Sequence, residues 1–200
     1  SITAADPAVR ARTLDLLARL VDLAAELGAA VLVHGSPAQR ALPDDEDVAA
    51  ARARGIDAFH AAGERARAAG VVYCVEPLAR EETAFVNTVA EAAEIVEAAG
   101  NPALRTMVDC SAAARTEGDV AALVDRWLPT GLLAHVQVND ANRRGPGEGD
   151  VRFAPILSAL RRGGYGGWIA VEPFVYVPDG PGCAARAAGE LRGVIEGLDG

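Results

Sequence analysis

Five short apolar runs, each followed by a helix-like stretch, constrain the fold of this 200-residue chain more than any other feature. The runs are AAVLVHG (29–35), 71–76, 104–109, 132–138 and 167–173. Helix-like segments follow them: an Ala-rich stretch to about 69, then 88–99, 117–127, 153–162 and 183–197. A further helix opens the chain, with Asp6-Pro7 as its start signal, Gly28 as its stop, and Leu14, Leu17, Val21 and Ala24 as a buried stripe. Continuous apolar runs of this length, alternating with helices, are buried parallel strands joined by right-handed crossovers. Four of the runs end in a side chain with an oxygen donor: Glu76, Asp109, Gln137 and Glu172. Their separations (76 to 109, 109 to 137, 137 to 172) are 33, 28 and 35 residues, each about one β/α unit. In a parallel α/β architecture all four strand ends lie on one rim, so these residues can converge on one point.

The fold class is therefore α/β. Eight-stranded (β/α) barrels typically need ~250 residues, whereas this chain shows five strands and opens on a helix. We read residues 1–200 as a single (β/α) barrel domain that is N-terminally incomplete, lacking its first strands. A complete five-stranded open sheet is the plainer alternative. Either form exposes edge strands that need cover, which is compatible with a homo-oligomer. The polar loop PAQRALPDDED (37–47) separates the first strand from the Ala-rich helix.

Composition removes several function classes. The net charge of −9 repels phosphate backbones, so nucleic acid is not an expected partner. No apolar run approaches the length of a membrane span. Cys74, Cys110 and Cys183 are odd in number and lack CxxC spacing, which fits a reduced, cytoplasmic compartment. Every basic side chain is Arg, so a lysine Schiff base is excluded. With only His34, His60 and His135, a His-rich metal site is excluded as well.

What remains suits a hard divalent cation. Three carboxyl groups and one amide oxygen favour Mg²⁺ or Mn²⁺, with Co²⁺ and Zn²⁺ also admitted. Such an ion would polarise a hydroxy-carbonyl substrate and stabilise an enediolate. Glu76 and Glu172, on opposite faces, would remove and return a proton. His135 shares its strand face with Gln137 and is expected beneath the site. Trp168 is expected to be packing, with Phe174 or Tyr176 walling a pocket.

The segments VEPLAREETAFVNT, MVD, HVQVNDANRRGPGEGD and GYGGWIAVEPF, with HGSPAQR at 34–40, resemble the sugar isomerase/epimerase superfamily of xylose-isomerase-like TIM barrels. Its members include D-tagatose 3-epimerase and hydroxypyruvate isomerase. The resemblance implies Glu76, Asp109, Gln137 and Glu172 as metal ligands and the two glutamates as the acid/base pair. It also implies Arg143 as a substrate contact and Glu82 as support for the substrate-binding shell. His34, at the tip of its strand, is a further substrate-contact candidate. Two positions depart from the epimerase pattern: Ala112 stands where a substrate-binding His is expected, and Ala79 where an Asn is expected.

The expected activity is a metal-dependent isomerisation or epimerisation of a small sugar, keto-sugar or hydroxy-keto acid. The departure at Ala112 keeps open a metal-dependent lyase acting on a 3-keto glycoside. With Ala79 and the short N-terminus, it also keeps open a non-catalytic, barrel-derived binding protein.

Overall fold

The computed structural model describes residues 1–43 and 47–199; positions 44–46 of the polar loop lie outside the described residues. Five strands form a sheet in the order β1-β2-β3-β4-β5, so each unit lays its strand beside the one before it. The chain divides into two compact units, Ser1–Thr106 and Met107–Gly200.

In the first unit, α1 (Pro7–Glu26) starts where expected: the Asp6 carboxylate accepts the Ala8 N–H at 2.7 Å, and Pro7 follows at the first helical position. Leu17, Val21 and Ala24 are buried, but Leu14 is 37% exposed and does not belong to that stripe. A second row, Leu16, Leu20, Leu23 and Leu27, is also exposed. β1 (Val31–His34) pairs in parallel with β2 (Val72–Val75), Leu32 opposite Tyr73 and His34 opposite Val75. Between them α2 (Val48–Ala69) is capped by Asp47 and ends at Gly70, whose φ of +73° only glycine adopts without strain. α2 buries Ala51, Ala58, Phe59, Ala62 and Ala66. These small residues let the helix pack closely; a Cβ added at Gly63 would lie 2.9 Å from Leu104 Cβ. α3 (Val89–Ala99) leads to β3 (Leu104–Asp109), whose first residues pair in parallel with β2.

In the second unit, the helix expected over 117–127 is present, and a further short helix precedes it. α4 (Cys110–Thr116) begins directly after β3, and α5 (Val120–Trp127) follows. Gly118, at φ +93°, breaks the path, and Asp119 starts α5 by accepting the Ala122 N–H at 3.1 Å. β4 (Leu133–Val138) and β5 (Ile169–Val171) pair in parallel, with Gln137 opposite Ala170. α6 (Phe153–Arg162) lies between them, and α7 (Gly180–Asp199) ends the unit.

Candidate metal centre

In the first unit, β2 delivers Glu76 one residue past its end. The Glu76 N–H donates to the His34 carbonyl at 3.4 Å, and its carboxyl group is buried against Gly35. A Cβ at position 35 would overlap Glu76 Oε2, so a larger residue there would displace the carboxylate. Glu82 lies in the following loop, and its Oε2 accepts the Ala79 N–H at 3.2 Å. The backbone of residue 79, which any amino acid supplies, thus holds this carboxylate.

Arg40 lies in the short helical turn after β1 and is fully buried. Desolvation lowers its pKa to about 10, against the opposing pull of Glu76, Glu82 and Tyr73. None of its three guanidinium nitrogens has a hydrogen-bond partner among the described residues. The segment HGSPAQR carried the only sequence signal for it. Ser1–Thr3 lie along residues 39–41: the Ile2 N–H donates to Gln39 O at 2.8 Å and Thr3 Oγ1 to Ala41 O at 2.6 Å.

His34 is buried at the end of β1. Its Nδ1 is 2.7 Å from the Tyr73 hydroxyl, and its ring meets Phe59 of α2 edge-on at 5.1 Å. Strand alternation explains this. His34 shares a face with Leu32, Tyr73 and Val75, the face covered by α2, whereas Glu76 belongs to the other face. His34 is therefore buried in this unit beside Tyr73 and Phe59.

In the second unit, β3 ends in Asp109, which is buried and also caps α4. Its Oδ1 accepts the Ala112 N–H at 2.7 Å, and its Oδ2 accepts a hydrogen bond from Asn139 Nδ2 at 2.7 Å. Glu172, just past β5, is half-buried and its Oε2 has no hydrogen-bond partner. Desolvation, and then the Asp109 charge, push its carboxyl up to about 7. Gln137 is buried on β4 with Oε1 unpartnered. His135, two residues earlier on the same face, is buried, and desolvation lowers its pKa.

Arg143 takes a left-handed conformation (φ +67°) in the loop after β4. Its carbonyl accepts from the Phe174 and Val175 N–H groups at 2.9 and 3.0 Å, and its guanidinium lies 4.7 Å over the Phe174 ring. Asp140 folds this loop by accepting the Asp150 and Val151 N–H groups at 3.1 and 3.2 Å. Trp168, expected as packing, is instead 73% exposed; Phe174 and Tyr176 are exposed too. Cys74, Cys110 and Cys183 are buried free thiols; burial pushes Cys74 up to about 12, far from reactivity.

In the second unit, Asp109 and Glu172 each offer one carboxylate oxygen within 4.8 Å of the other. Metal–oxygen distances of about 2.0–2.6 Å place ligand oxygens of one hard cation about 3–5 Å apart, so this spacing fits a single ion. The unpartnered oxygens of Glu172 and Gln137 fit the same donor chemistry.

Residues 1–193 match the family model described as xylose isomerase-like TIM barrel. The chain belongs to that family. Its five parallel strands are a half-barrel of the xylose isomerase-like type. Over 129 residues it is 32% identical to a D-psicose 3-epimerase of Agrobacterium fabrum, covering 64% of this chain and 44% of that protein. Over 134 residues it is 28% identical to a 2-oxo-tetronate isomerase of Cupriavidus necator, covering 66% and 51%. The solved structure of a D-allulose 3-epimerase from Methylomonas sp. superimposes with a TM-score of 0.82 over 96% of this chain and 73% of that one; at 23% identity the likeness is one of fold. The chain spans about half the length of the relatives it matches in sequence. Among the described residues no helix is long and apolar enough to cross a membrane.

Proposed function

We propose that this half-barrel carries a divalent-metal-dependent isomerase or epimerase centre for a small sugar, keto-sugar or hydroxy-keto acid. Treating both compact units as one barrel domain belongs to the same proposal. The observation that carries it is the approach, within the second unit, of the Asp109 and Glu172 carboxylates, from strand ends far apart in sequence, to within 4.8 Å. The similarity to a psicose epimerase and an oxo-tetronate isomerase supports a substrate in which a carbonyl sits beside a carbon that loses or gains a proton.

In this reading Glu76, Asp109, Glu172 and Gln137 hold the ion, for which Mn²⁺ and Mg²⁺ are the best matches. The ion supplies charge to polarise the substrate carbonyl and acidify the neighbouring C–H. Glu172 and Glu76 are the two groups placed to move a proton, and a bound cation would hold Glu172 in the ionised form that accepts one. Glu76, pinned over Gly35, exchanges the second proton. Return to the neighbouring carbon gives isomerisation, and return to the opposite face of the same carbon gives epimerisation. Arg143 is free to present its guanidinium fork to substrate oxygens above Phe174. Glu82 supports the substrate shell from its loop.

The test is turnover of a panel of ketoses and hydroxy-keto acids by the full chain in D₂O with Mn²⁺. Deuterium should enter the carbon beside the carbonyl with no other change in substrate mass. Glu172→Gln should abolish this while leaving much of the Mn²⁺ affinity. Full activity in that variant, or no Mn²⁺ binding by well-folded wild type, overturns the reading.

A further inference from the structure

We propose that Asn139 is a positioning residue for the metal centre: its side-chain amide sets the orientation of the Asp109 carboxylate and fixes the backbone that carries Glu172. The inference rests on the metal reading above and deepens it. Asn139 follows β4 and is fully buried. Its Nδ2 donates to Asp109 Oδ2 at 2.7 Å and to the Glu172 carbonyl at 3.0 Å. Its Oδ1 accepts the Ser111 N–H, in the first turn of α4, at 2.8 Å. One planar amide therefore joins the ends of β3, β4 and β5 and the start of α4.

The amide has only one orientation that satisfies these partners. Turned over, it would set Oδ1 against a carboxylate oxygen and a carbonyl oxygen, and its NH₂ against the Ser111 N–H. All three contacts would become repulsive. The network therefore dictates which atom faces Asp109, and the donor is always the one presented. Asp109 in turn receives one N–H on each oxygen, from Ala112 and from Asn139. These contacts orient its carboxylate before any ion arrives. Without Asn139, the Ser111 N–H and the Glu172 carbonyl would both lose a partner, and Asp109 Oδ2 would lose the donor that orients it.

No sequence pattern singles this residue out. It lies two positions past Gln137 on the same face, where the chain is leaving the strand, and its role depends on partners 28 and 33 residues away.

The experiment is calorimetric titration of the full chain with Mn²⁺, for wild type, Asn139→Leu and Asn139→Ser. Leu keeps the shape without polar atoms; Ser keeps polarity but is too short to bridge three partners. Thermal melts of the ion-free proteins identify a temperature at which all three are folded, and the affinities are compared there. Outer-shell partners of metal ligands typically matter about 10- to 100-fold, and at least a tenfold loss in both variants is expected. A purely structural residue would lower the melting temperature and leave the affinity of the folded protein unchanged, and that result overturns the proposal. Failure of wild type to bind Mn²⁺ overturns the metal reading and this role with it. Wild-type binding with unaltered variants overturns this role alone.

Discussion

Binding of a divalent cation should expel a proton from Glu172, in an amount fixed by pH. Burial and the neighbouring Asp109 raise this carboxyl to about 7. A group with that pKa is protonated to about 0.9 at pH 6, about 0.5 at pH 7 and about 0.1 at pH 8. An ion requires the carboxylate, so those fractions are the protons released per ion bound. The apparent affinity should correspondingly weaken about tenfold per pH unit below 7 and level off above 8. In the ion-free protein the sign is the reverse of an ordinary paired carboxylate. A folded pKa raised above the usual 4.5 favours the fold fully below 4.5, and that contribution is lost as pH rises through 7. Added Mn²⁺ removes this penalty, so it should raise the melting temperature more at pH 8 than at pH 6. Calorimetry in pairs of buffers with different protonation enthalpies, at each of the three pH values, measures the release directly. Glu172→Gln should eliminate it. A release that is flat from pH 6 to 8, or that survives in the variant, would refute the assignment of the raised pKa to this residue.

Two further outcomes test the first unit. Gly35→Ala should push the Glu76 carboxylate away, because the added Cβ overlaps Glu76 Oε2; we expect at least a tenfold loss of Mn²⁺ affinity by titration, with the far-ultraviolet dichroism unchanged. His34 is held neutral, with a pKa lowered to about 4 by burial and then by Arg40. Its contribution to stability is complete above the unfolded value of 6.5 and is lost as pH falls towards 4. The loss between pH 7 and pH 5 is about 2 kcal/mol, read as a fall in denaturant-unfolding free energy that His34→Phe should largely abolish.

The sheet was legible because it follows local rules. Strand ends announce themselves as apolar runs stopped by a polar residue, and parallel topology brings such ends together without knowledge of any side-chain contact. The expectations for β3 and α6 match the structure residue for residue, as periodicity and length require. What escaped was set by partners distant in sequence. His34 ends a strand, and the local sequence does not show which way it faces. Its face, however, is decided by register against Tyr73 and by the cover of Phe59, 25 residues on. Arg40 and Asn139 are ordinary polar residues in loops until the fold buries them. Trp168, the largest apolar side chain near β5, was expected inside and lies exposed, since a three-residue strand offers little surface to pack against.

The short helix α4 explains why alanine at position 112 is not simply a loss. A helix beginning immediately after a strand leaves N–H groups that need an acceptor at its first turn. Asp109 supplies it through Oδ1, and the donor is the backbone of residue 112. That contact is blind to the side chain, so replacing the expected histidine leaves the cap and the aspartate's orientation intact. The change acts on whatever a side chain at 112 would reach, and this position is now a small apolar wall. Ligand placement and substrate contact are thus separable within one turn of helix. Asp109 can serve a metal while the residue three positions later is free to diverge, which locates any departure from the epimerases in what is bound rather than in how the ion is held.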